Sequence, residues 1–74
     1  MTKEEKQKIL AQVAYSRYLQ FASEPGENRT YWFNSGFAWG AYQLARALGV
    51  SEIELQEAEE RGERRAYRAQ EKKP

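Results

Sequence analysis

The chain has 74 residues, enough for one domain, at a size where a lone hydrophobic core is marginal without a disulfide, a metal or a partner. It contains no Cys, no His and no Asp, which excludes disulfides, the favoured transition-metal ligands, and the usual general bases and thiolate nucleophiles of enzymes. Twelve basic residues against eleven Glu leave a net charge of +1, so no global field selects polyanions or polycations.

The first helix is predicted over residues 3–22. Thr2 and Glu5 stand at capping-box spacing, where hydroxyl and carboxylate each satisfy a free backbone N–H. Leu10, Val13, Ala14, Arg17, Tyr18 and Phe21 then recur at three- and four-residue intervals and make one face. Pro25 and Gly26 end the helix, Pro25 by removing a donor and pushing Glu24 out of the α region.

A second helix is predicted over 30–48, capped by Asn28 or Thr30. Phe33, Phe37, Ala41, Leu44 and Leu48 form one face, while Trp32, Trp39 and Tyr42 populate others. A helix apolar nearly all round calls for cover nearly all round. Gly36 and Gly40, four apart, share a face and suggest a helix-contact notch, within the chain or across a dimer; alternatively Gly40 kinks the helix.

Gly49 supplies a left-handed cap, and Ser51 with Glu54 completes another capping box before a third helix over 51–70. That helix carries five Glu and no base over 52–60, then six Lys/Arg against two Glu over 61–73, a polarity that suits its dipole. Gly62 is its weak point, but good helix formers on both sides favour continuation, with 71–74 fraying. The expected fold is all-α: a small three-helix domain with a helix-turn-helix-like junction between the second and third helices.

That junction carries a recognisable pattern. A small residue at Ala45, a turn glycine at Gly49 and apolar positions at Leu44, Leu48, Val50, Leu55 and Ala58 run through residues 41–60, and Glu60-Arg61-Gly62 closes the segment. The pattern resembles the helix-turn-helix of the Cro/repressor-like family. The resemblance implies that the last helix enters a DNA major groove, with Ser51, Glu52, Ile53, Gln56, Glu57 and Glu60 facing it. Three of these six are carboxylates and none is basic, whereas DNA affinity rests on basic contacts that release counterions. The basic cluster Arg61, Arg64, Arg65, Arg68, Lys72 and Lys73 lies farther along, so nucleic acid is the less favoured partner.

Nine of the ten aromatics fall between residues 15 and 42. The run Tyr31-Trp32-Phe33 points in three directions about a helix, so at least one ring is expected outside the core, and Trp and Tyr are favoured interface anchors. Arg17 and Arg46, inside apolar stripes, are expected to cover core residues with their stems while their heads reach water. The start of the chain is polar and shows no signal peptide. Tyr31 to Val50 is the one stretch long enough to raise a membrane question, and Arg46 argues against a span. The Asn28-Arg29-Thr30 sequon is discounted, since the chain reads as cytoplasmic.

The expected function is therefore non-catalytic: a module without cofactor or metal that binds a larger protein, with Tyr31, Trp32 and Trp39 as anchors and Glu52, Glu57 and Glu60 as a negative strip. A homodimer, or a monomer stabilised by its partner, fits the lack of any staple. Size alone suggests a phage or mobile-element inhibitor or adaptor acting on a complex such as a CRISPR effector or polymerase. The alternative is a small transcriptional regulator reading DNA through Ser51, Gln56, Arg61, Arg64, Arg65 and Arg68.

Overall fold

A computed structural model describes residues 1–23 and 29–71 as three helices: α1 over Lys3–Ala22, α2 over Arg29–Ala47 and α3 over Glu52–Glu71. The all-α class expected from the sequence is the fold observed, and all six helix ends agree with the expected bounds to within a residue. The expected break at Pro25 and Gly26, the Asn28 cap, and Lys72 and Lys73 lie outside the described residues.

Local chemistry sets the ends. Thr2 Oγ1 accepts from the Glu5 N–H at 3.1 Å, and the Glu5 carboxylate accepts from the Thr2 N–H at 3.3 Å. Gly49, at φ +97°, closes α2: its N–H bonds to the Arg46 carbonyl, and the Val50 N–H bonds to the Ala45 carbonyl. These two bonds make a Schellman cap, and it drops Val50 into the core beside Ala45. Ser51 Oγ accepts from the Glu54 N–H at 3.3 Å and donates to the Glu54 carboxylate at 2.8 Å, opening α3.

The first helix is the centre of the molecule. Asn34 at the start of α2 meets Leu19 and Ser23 at the end of α1, so α2 runs antiparallel to it, whereas the pairs Lys6–Glu54, Arg17–Glu63 and Phe21–Gln70 show α3 running parallel; α2 and α3 meet each other little. The shape is correspondingly flattened, 25 Å wide and 17 Å thick. Val13 of α1, Ala45 and Val50 at the end of α2, and Leu55 and Ala58 of α3 form the core.

Two expectations about packing are corrected. The large apolar face of α2 is not its buried face: Phe33, Leu44 and Leu48 are exposed, and α2 buries Asn34, Ala38 and Ala45 instead. Small residues let α2 approach α1 closely, and Asn34 is accommodated because its amide donates to Ser23 Oγ at 2.6 Å and to the Leu19 carbonyl at 3.4 Å. The within-chain form of the expected notch is likewise absent: among the described residues, and apart from the neighbouring backbone of α2 itself, nothing lies within 4 Å of a methyl placed on Gly36 or Gly40, and α2 runs unbroken through both. The close approach falls at Gly62, where a methyl would collide with the Ala14 carbonyl oxygen and lie 3.0 Å from Arg17 Cβ and the Tyr18 nitrogen. The α1–α3 crossing is therefore set by a glycine whose helix continues past it.

Candidate interaction surfaces

Because α2 turns its small face inward, its bulky residues stand outward. Trp32 is 63% exposed and Trp39 68% exposed. They are seven residues apart, two turns, and so share one side of α2. Tyr31 is half-buried and packs edge-on against Trp32 at 5.3 Å, which restricts the indole. Trp39 borders a cleft of about 310 Å³ lined from all three helices, among them Arg17, Gln20, Ser35, Tyr42 and Glu59. The Ser35 hydroxyl in this cleft is buried and has no hydrogen-bond partner among the described residues. Phe33, Phe37, Leu44 and Leu48 make a second ridge, and Gly36 and Gly40 lie between the two.

Arg17 is tied down rather than reaching water. Its Nε and Nη2 both donate to Glu63 Oε1, at 3.1 and 3.0 Å, its Nη1 donates to Gln20, and Glu59 stands 3.5 Å away. The guanidinium also lies over the Phe21 ring at 4.6 Å. Arg46 is exposed, with Glu52 at 3.8 Å.

The acidic residues of α3 are divided by this packing. Glu54 pairs with Lys6 at 2.9 Å, and Glu59 and Glu63 face Arg17. The hydrogen bond from Lys6, then that from Ser51, hold the Glu54 carboxyl below its ordinary value of 4.5. Glu52, Glu57 and Glu60 are exposed, but they do not form one isolated negative strip. Glu57 and Glu60 share a shallow depression with Arg61 and Arg64, where Arg64 lies 3.8 Å from Glu60, while Glu52 stands apart beside Arg46.

Among the positions of the helix-turn-helix resemblance, Ala45, Val50, Leu55 and Ala58 are buried, and Leu44 and Leu48 are exposed. Ser51, Ile53 and Gln56 are exposed with the three glutamates. Arg61, Arg65 and Arg68 line one side of an open groove of about 580 Å³ against Gln7, Ala11 and Tyr15 of α1. Arg65 stacks over the Tyr18 ring at 4.3 Å. Among the described residues no ion pair engages Arg61, Arg65 or Arg68.

Among the described residues there is no group of three or more carboxylates placed to hold a metal ion, and no helix is long and apolar enough to cross a membrane. Comparison with protein-family models, with curated proteins and with solved structures gives no match to this chain.

Two features of these surfaces escaped the sequence reading. The Arg17 clamp carries a signal only in hindsight, since Glu59 and Glu63 lie one turn apart and fit a single guanidinium. The unpartnered Ser35 hydroxyl has no sequence signal.

Proposed function

We propose that this chain is a non-catalytic protein-binding module whose partner docks on the Trp32–Trp39 side of α2. The observation that carries the reading is the pair of indoles, both about two-thirds exposed, fixed on one side of a rigid helix. Large, entropically cheap aromatic side chains supply most of the energy in protein interfaces, while scattered charges mainly tune association rate. The cleft beside Trp39, lined by Arg17, Gln20, Tyr42 and Glu59, adds polar groups at the edge of the docking side.

These are the two tryptophans of the chain, so intrinsic fluorescence reports on the proposed site directly. Partner engagement should shift the emission to the blue. Replacing both Trp32 and Trp39 by Ala should abolish capture of that partner from the native host while leaving helicity intact. Reversing Glu52, Glu57 and Glu60 to Lys should weaken capture at low salt only. Undiminished capture by the double Ala variant would refute the reading.

A second reading is favoured by Arg61, Arg65 and Arg68, which no ion pair engages among the described residues, on their groove with Tyr15: contact with a nucleic-acid backbone by a repressor-like module. Glu54, Glu59 and Glu63 are paired inside the fold, while the acids that argue against this reading, Glu52, Glu57 and Glu60, stay exposed on the same helix. It requires a duplex affinity that falls steeply as salt rises, which a mobility-shift titration measures.

A further inference from the structure

The other ridge of α2 has a different character. Phe33, Phe37, Gly40, Ala41, Leu44 and Leu48 follow one stripe along the helix, and no charged residue lies on it. Gly40, Ala41, Leu44 and Leu48 border an open groove of about 430 Å³ whose far wall is Ile9 and Gln12 of α1. Phe33 is 75% exposed, Leu44 63% and Leu48 50%.

The stripe is symmetric about the point midway between Gly40 and Ala41. Its successive intervals are four, three, one, three and four residues. In an antiparallel pair of α2 helices with a twofold axis at that point, Phe33 faces Leu48 of the second copy, Phe37 faces Leu44, and Gly40 faces Ala41. Large residues meet large at both ends and small residues meet at the centre. The backbones therefore close at the crossing and the side chains interlock on either side of it. Such self-complementarity is what a twofold contact between identical chains requires, and an unrelated partner imposes no such symmetry.

We propose that this stripe is a homodimer interface, with α2 packed antiparallel on α2 of a second copy. The surface is of the right size. Phe33, Leu44 and Leu48 alone expose roughly 350 Å² per copy. With the edges of Phe37, Gly36, Gly40 and Ile9 the two copies offer about 1,000 Å², the least that a specific contact between chains should clear. Trp32 and Trp39 lie round the helix from the stripe and stay accessible in the pair, so a dimer presents two copies of the docking side. Loss of one surface is separable from loss of the other.

Light scattering and sedimentation at high micromolar concentration test this on the full chain. The wild type should show twice the 8.7 kDa chain mass. Leu44→Glu should return it to the monomer mass, weakening association by at least about 100-fold because a carboxylate would be buried without a partner. Leu44 is largely exposed in the single chain, so helicity should not change. The absence of cysteine permits a second readout that keeps the rest of the stripe apolar. A mixture of Phe33→Cys and Leu48→Cys chains should form a disulfide-linked heterodimer, and Phe33→Cys alone should not link to itself. A concentration-independent monomer, a dimer indifferent to Leu44→Glu, or self-linking of Phe33→Cys at the yield of the mixture would each overturn the proposal. Double Ala replacement of Trp32 and Trp39 should leave the mass doubled.

Discussion

Arg17 on α1 and Glu63 on α3 are joined by two hydrogen bonds, from Nε and Nη2 to one carboxylate oxygen, across 46 residues of sequence. Both side chains are about seven-tenths shielded from water, enough for the pair to escape much of the screening that makes exposed ion pairs weak. Arg17→Ala should lower stability by about 1–2 kcal/mol, read as a fall in the urea midpoint at fixed protein concentration. Arg17→Lys should restore only a minor part, because an ammonium cannot serve Glu63, Gln20 and Phe21 together.

Glycine substitutions separate the crossing from the open face. Gly62→Ala adds a methyl against the backbone of Ala14 and Tyr18, which cannot move aside as a flexible side chain could. It should destabilise the fold by about 1–3 kcal/mol, although alanine is the better helix former. Gly36→Ala meets no other helix within 4 Å among the described residues and should raise stability by about 0.5–1 kcal/mol. Thermal unfolding of the two variants should move in opposite directions.

Asn34 is the polar residue at the heart of the α1–α2 contact. Asn34→Ala should cost about 1–3 kcal/mol, since it leaves a void and takes from Ser23 Oγ its 2.6 Å donor. Amide hydrogen exchange should then rise along α2 and the end of α1 more than along α3. Uniform acceleration would show that the three helices open as one unit.

The lowered pKa of Glu54 makes a pH-dependent contribution of known sign. Its carboxylate favours folding above the ordinary value of about 4.5, and the effect is lost as pH falls through the lower folded-state value. Glu54→Gln should therefore be less stable than the wild type near neutral pH, with the gap closing in acid. Thermal midpoints taken from about pH 6 to pH 3 check this, and Lys6→Met should reproduce the convergence.

Helix boundaries were legible because single residues determine them: Thr2 with Glu5, Ser51 with Glu54, and Gly49. Which face of α2 is buried was not. A periodic reading assigns the core to the stripe with the largest apolar side chains, and that logic selects Phe33, Leu44 and Leu48. The chain instead packs Ala38, Ala45 and Asn34 against α1, where small volume permits close approach and Ser23 satisfies the amide. Within the single chain it is Gly62, not Gly36 or Gly40, that meets another helix's backbone, because helix crossings depend on long-range geometry that spacing within one helix does not encode. For the docking side, the exposed Trp32 follows from three adjacent aromatics, whereas the orphan hydroxyl of Ser35 depends on how all three helices assemble.

Since α1 meets both of its neighbours while α2 and α3 meet each other little, the two outer helices add to it separately. Until α3 docks, Val13, Arg17 and the backbone at Ala14 stay uncovered, so α1 and α2 paired alone lack most of the core. The third helix is therefore the piece that closes the fold.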